Sequence, residues 1–229
     1  MNLDFNKINE LNSKIIKCNL CNRLVDFRQE IALKKRKQFQ SWNYWGKPVP
    51  GYGSFSSKLL LAGLAPAAHG GNRTGRVFTG DKSADFLVSC LNKSGISNQP
   101  NSVNLDDGLK LNDTYMTAVL KCVPPGDKPK SDELMNCSKF LENELKLLVN
   151  LKCILALGKI AFDSALKIFN KNKEYKIKDF PFGHGKKYKL NNGIILIGSY
   201  HPSPRNVNTG RLNERMMIEL LINVKEIID

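Results

Sequence analysis

Four short apolar runs set the rhythm of this chain. KLLLAGLA from Lys58, TYMTAVLK over residues 114–121, CILALG over 153–158 and GIILIGSY over 193–200 read as buried strands. Between them the spacing becomes helical. Ala84, Leu87, Val88 and Leu91 share one face of a helix predicted over residues 82–94. Further helices are predicted from Ser131 to about Val149, with Glu133 in the first turn, over 159–169, and over 210–228. Upstream, Phe5, Ile8, Leu11, Ile15 and Ile16 predict a helix over 4–17, and a basic helix follows over 23–39. SWNYWGKPVPGYGSF reads as an ordered loop, and residues 171–192, basic and turn-rich, as a loop or hairpin. Strands alternating with helices predict an α/β fold with a mostly parallel sheet covered by helices on both faces. The 229 residues suit a single domain, 1–229, with residues 1–57 as an N-terminal helical and loop appendage.

Composition narrows the partners. No apolar run approaches the length that spans a bilayer, and the polar N-terminus is unlike a secretory signal, so a soluble intracellular protein is expected. The formal net charge of +14 favours a polyanionic partner such as nucleic acid. The densest basic run, Lys34 to Lys37, is by itself no more than a solvated helix face.

Six cysteines in a chain of this kind argue against a disulfide framework. Cys90 and Cys153 lie in apolar runs and read as small buried hydrophobes. Cys18, Cys21, Cys122 and Cys137 stand in polar surroundings and form two pairs far apart in sequence. Around one metal centre they would tie the N-terminal appendage to the sheet. Tetrahedral zinc and an iron–sulfur cluster both remain open; the wide second pair is unlike compact zinc ribbons and suits a cluster better.

Two polar segments follow strands: HGGNRTGRVFTGD over 69–81 and HPSPRNVNTGRL over 201–212. Loops beyond the carboxyl ends of parallel strands form the ligand crevice of such sheets. With the preceding GLAPAA and with KCVPP at 121–125, these segments resemble the motifs of the family 5 uracil-DNA glycosylases. The match spans nearly the whole domain. The resemblance implies a three-layer α/β/α sandwich around a four-stranded parallel sheet. It also implies a structural [4Fe–4S] cluster held by Cys18, Cys21, Cys122 and Cys137. The expected activity is monofunctional base excision from double-stranded DNA, by a monomer, leaving an abasic site.

That chemistry requires a base flipped from the stack, a carboxylate for the sugar cation and its water, and a donor for the departing base anion. Asp81, the one acidic residue of the first loop, is the candidate carboxylate, in a place where it also reads as a helix N-cap. His201 is the candidate donor, as a neutral imidazole. Phe78 suits a stacking platform. Gly63, Ala65, Pro66, Ala67 and Ala68 keep the first loop thin, so that the base can approach the backbone. His69 is either a second donor in the pocket or a packed loop residue. Asn72, Arg73 and Arg76 either meet DNA or fix the loop. In the second loop, Ser203, Arg205 and Asn206 are expected near phosphates, with Pro202 and Pro204 as stiffeners and a wedge within residues 205–207.

Departures from the related family 4 pattern matter. Leu64 replaces the Glu of its GEAPG motif, and Ala118 replaces the Asn that reads uracil. Both fit family 5 and a less selective pocket, which leaves hypoxanthine and xanthine open as further substrates. Asp127 stands where Asn is expected, and a carboxylate there would repel phosphate. The alternative from another class is a non-catalytic iron–sulfur protein that senses DNA damage or redox state.

Overall fold

The computed structural model describes residues 2–229, with side chains from residue 7 onward; the side chain of Phe5 lies outside the described residues. Strands β2 (Leu59–Gly63), β3 (Thr114–Ala118), β4 (Cys153–Leu157) and β6 (Ile195–Ser199) form the parallel centre of one sheet. With the edge strands β1 (Tyr52–Gly53) and β5 (Lys187–Lys189), its order is β1-β3-β2-β4-β6-β5, with Leu60 opposite both Tyr115 and Ile154, and Ile154 opposite Leu196.

The central strands are mostly apolar and almost wholly buried because helices cover both faces, with Thr114, Thr117 and Ser199 as buried polar exceptions. Side chains alternate between two cores. Leu59 and Leu61 join Val88 and Leu91 of α4 (Lys82–Lys93), and Leu221 and Val224 of α8 (Glu214–Ile228). Leu60 and Ala62 join Leu141 of α5 (Ser131–Leu147), and Phe162 and Leu166 of α6 (Lys159–Phe169). Each fully buried Leu contributes roughly 1.5–3 kcal/mol.

The expected four-stranded sheet is corrected to six strands among the described residues. The additions are short antiparallel edges: β1 (Tyr52–Gly53) on β3 and β5 (Lys187–Lys189) on β6. Strands of two and three residues leave no alternation to detect, and exposed Lys187 and Lys189 blunt the β5 edge. Two short helices, α3 (Gly71–Thr74) and α7 (Pro204–Asn208), lie inside the polar loops. The basic helix α2 spans Asn22–Lys34 and stops where Lys35 turns to φ 47°.

Helix α1 (Asn2–Ile16) lays Leu11 and Ile15 against Phe140 of α5. At the start of α2, Arg23 forks onto both carboxylate oxygens of Glu133, each at 2.7 Å. No helix among the described residues is long and apolar enough to cross a membrane.

Candidate active site

The two motif loops leave the same carboxyl edge of the sheet, from β2 and β6, with β4 between them. At ordinary strand spacing their roots stand roughly 10 Å apart.

In the first loop the Phe78 ring lies on Gly63, where a Cβ would come within 2.6 Å of its tip. Phe78 holds φ 48°, a strained conformation for an aromatic residue and one that gathers at functional sites. Asp81 caps α4: its Oδ1 accepts the backbone N–H groups of Ser83 at 2.9 Å and Ala84 at 3.1 Å. Its other oxygen faces Gly70, where a Cβ would lie only 2.1 Å from Oδ2. One oxygen of the carboxylate therefore serves the cap, and the other is turned towards Gly70. Burial raises the Asp81 pKa above the ordinary value, against the two N–H donors that favour the anion.

The loop is braced from within and from the N-terminal segment. Arg73 donates from Nε to the His69 carbonyl at 2.7 Å and from Nη2 to the Gly80 carbonyl at 3.0 Å, clasping both ends of the loop. Its guanidinium lies between Phe39 and Trp42, 3.9 and 4.0 Å from their ring centres. Asn72 donates to the Arg28 carbonyl, and the backbone of Trp45 and Gly46 donates to Arg73 and Asn72. Arg76 pairs with Asp107 at 2.6 Å and bonds Ser102 and Thr79. All three polar residues are buried, and of the two roles open for them the observed contacts are those of fixing the loop. Ala67 starts the turn: its carbonyl accepts the N–H of Gly70 and of Asn72. Ala68 follows at an intermediate exposure. His69 meets the Tyr44 hydroxyl at Nδ1, 3.0 Å away.

In the second loop, Asn206 donates to the His201 carbonyl at 2.8 Å, and Ser203 caps α7 by accepting the Asn206 N–H. Arg205 stays exposed. Burial lowers the pKa of His201, with the negative charge of Asp127 as a smaller opposing influence, so the ring is neutral at neutral pH. Asp127, on the turn after β3, thus brings a third strand-end segment towards His201.

Away from the loops, Cys18, Cys21, Cys122 and Cys137 line one cavity together with Leu20, Leu24, Val25, Pro48 and Phe140. The Lys121 backbone N–H points at Cys137 Sγ at 3.3 Å, and Asn136 Nδ2 at Cys21 Sγ at 3.7 Å. Burial pushes the thiol of Cys122 up to about 12 and that of Cys137 to about 11. Among the described residues no three His, Cys, Asp or Glu side chains gather as a site for a single ion. Cys90 and Cys153 are buried in the apolar core.

Residues 50–225 match the model of the uracil DNA glycosylase superfamily. Over 221 residues the chain is 43% identical to a type-5 uracil-DNA glycosylase of Mycobacterium leprae, covering 96% of this chain and 95% of the relative. It is 44% identical to one of Thermus thermophilus, covering 92% and 93%. A type-4 uracil-DNA glycosylase of Sulfurisphaera tokodaii is 28% identical, covering 73% and 69%. The chain belongs to the type-5 uracil-DNA glycosylases.

Within this family's sheet, Ala118 is buried at the end of β3 and Leu64 packs against the α5–α6 core. Neither presents a polar group. Sequence reasoning missed several site-supporting residues. Lys121 and Glu144 form a buried ion pair at 2.8 Å, joined by Thr117 and Tyr115; the signal was a lysine closing an apolar strand run. His184 stacks on Tyr200 at 5.3 Å, and Arg211 covers that ring at 4.5 Å. The FGHG turn was its one local sign. Tyr44 carried no sign beyond its place in an aromatic-rich loop.

Proposed function

We propose that this chain excises uracil from double-stranded DNA by hydrolysing the N-glycosidic bond, leaving an abasic site. The divided carboxylate of Asp81 carries this reading: one oxygen is spent on the helix cap, and the other borders Gly70 on a strand-tip loop. With the target base extruded, Phe78 stacks on it. The free Asp81 oxygen faces the sugar as positive charge develops there, and orients the attacking water. The neutral His201 donates a hydrogen bond to the departing base as negative charge gathers on its ring. Arg205, exposed beside the rigid second loop, contacts phosphate, and residues 205–207 enter the gap in the stack. No lysine stands in either motif loop to attack the sugar, which fits hydrolysis without strand cleavage. Leu64 and Ala118 leave the pocket without the groups that would restrict it to uracil, so hypoxanthine and xanthine are included as substrates.

We assign Cys18, Cys21, Cys122 and Cys137 as the ligands of a [4Fe–4S] cluster. Four thiols surround one cavity, and two of the sulfurs already face N–H donors of the kind that tune cluster-bound sulfurs. The cluster supplies a cross-link between the N-terminal segment and the β3–α5 unit, and takes no part in the bond cleavage.

Duplex oligonucleotides carrying uracil, hypoxanthine or xanthine, scored for alkali-sensitive breaks, test the reading. Uracil release is expected to be the strongest. Binding without release from any of the three defeats the enzyme and leaves a damage sensor. His201→Ala is expected to lower single-turnover release by about 10²–10³-fold, the usual cost of one donor to a developing anion.

The acid limb of the rate profile follows from the two shifts. Asp81 must be ionised, and its pKa is raised; His201 must be neutral, and its pKa is lowered. Activity should therefore fall on the acid side, with the Asp81 step above the ordinary carboxyl value of about 3.9 and the His201 step below the ordinary imidazole value of about 6.5. An NMR titration in which the His201 ring itself titrates above the ordinary imidazole value contradicts the neutral His201.

A further inference from the structure

We propose that Tyr44 is a positioning residue that locks His69 as an Nε2–H donor to the extruded base; this rests on the glycosylase reading above. The backbone N–H of Arg36 lies 3.4 Å from the Tyr44 hydroxyl oxygen, and that oxygen lies 3.0 Å from His69 Nδ1. The hydroxyl oxygen accepts from Arg36, so its own proton has to be spent on a partner. His69 Nδ1 is the acceptor within reach among the described residues. Accepting there requires a lone pair on Nδ1, which leaves the proton of a neutral ring on Nε2. Neutrality is favoured by burial and by the cations of Arg36 and Arg73, all of which lower the His69 pKa. The opposite arrangement, with Nδ1–H donating to Tyr44, would strand the hydroxyl proton in a nearly buried residue.

The backbone of His69 is fixed as well, by Arg73 Nε on its carbonyl. The next residue is Gly70, whose α-carbon abuts the free oxygen of Asp81. His69 therefore sits one residue from the reacting carboxylate, with one ring nitrogen occupied and the other defined as a donor. A carbonyl oxygen is common to uracil, hypoxanthine and xanthine. A donor fixed in this way recognises that shared group, whereas an amide would discriminate between bases. Tyr44 comes from the segment between α2 and β1, which also supplies Phe39, Trp42 and the backbone of Trp45 and Gly46 to this loop. The N-terminal segment is in this way part of the active site.

The tautomer is read directly by ¹⁵N NMR of the three histidines, assigned with single His→Gln variants. In the wild-type protein His69 is expected with a bare Nδ1 and a protonated Nε2, and in Tyr44→Phe with a mixture of tautomers. Single-turnover uracil release is expected to fall about 5–10-fold in Tyr44→Phe, the order of one lost hydrogen bond, with unchanged affinity for undamaged duplex, which presents no extruded base to His69. Adding Tyr44→Phe to His69→Ala should cause no further loss, because both act through one group. An Nδ1–H tautomer in the wild type, or additive losses, overturns the proposal. If the wild type released no base, the glycosylase reading would fail while the NMR result still decided the tautomer.

Discussion

Asp81→Asn is expected to leave the fold intact, raise its thermal stability, and lower uracil release by about 10²–10⁴-fold. The asparagine carbonyl oxygen can replace Oδ1 and accept from Ser83 and Ala84, so α4 keeps its cap. What disappears is the charge. Burial raises the pKa of Asp81, so the folded state binds the carboxyl proton more tightly than the unfolded chain does. For an acid shifted in that direction, ionisation opposes folding. The penalty is complete at pH values above the folded-state pKa and vanishes below the unfolded one. The variant should therefore melt higher than the wild type at pH 7, and the two should converge as the pH falls through the raised pKa towards about 3.9. Asp81→Ala separates the two duties from the other side. It loses the charge and also the cap, at a cost of about 1 kcal/mol. A gain in stability coupled to a loss of rate identifies a group retained for chemistry at the expense of the fold. Near-wild-type release by Asp81→Asn would reduce Asp81 to a cap and remove the central assignment.

The contrast between Asp81 and its neighbours shows where sequence reasoning reaches its limit. The buried strands were legible because each is a mostly apolar run, and α4 was legible because Ala84, Leu87, Val88 and Leu91 repeat at helical spacing. The edge strands at Tyr52 and Lys187 were not, since two or three residues carry no period. Asp81 was visible as an isolated acid at a helix start. Its division into a capping oxygen and a free one depends on Gly70, eleven residues earlier in the chain and in contact only after folding. Arg73 and Asn72 looked equally suited to phosphate and to bracing. Only the stacking of Phe39 and Trp42 on the guanidinium, and the Arg28 carbonyl opposite the amide, separate the roles. Tyr44 and His69, like Lys121 and Glu144, meet across more than twenty residues without any local pattern. Contacts of that kind are set by tertiary packing, which periodicity does not encode.

Replacing Cys122 or Cys137 by Ala is expected to abolish the proposed [4Fe–4S] cluster and, with it, most of the activity. The broad absorbance near about 400 nm and the bound iron should disappear together. Binding such a group is part of the folding free energy, so its loss costs several kcal/mol. In a domain of this size each kcal/mol moves Tm by about 2–4 °C, and a fall of roughly 10 °C or more follows. The activity falls for a mechanical reason. Cys18 and Cys21 bracket the junction of α1 and α2, and the chain beyond α2 supplies Phe39, Trp42 and Tyr44 to the loop that carries Asp81. Released from the β3–α5 unit, that segment no longer clamps Arg73 and His69. Cys90→Ala and Cys153→Ala are the controls. Both cysteines are buried in the apolar core and do not line the four-cysteine cavity: their loss leaves a small void, and colour and iron should be unchanged. A colourless wild-type protein containing zinc would replace the cluster by a single ion. Full iron in Cys122→Ala would remove that residue from the ligand set. With either result, the coupling between the cysteine cavity and the loop that carries Asp81 would still be measurable, as the difference in release rate between Cys122→Ala and Cys90→Ala at equal fractions of folded protein.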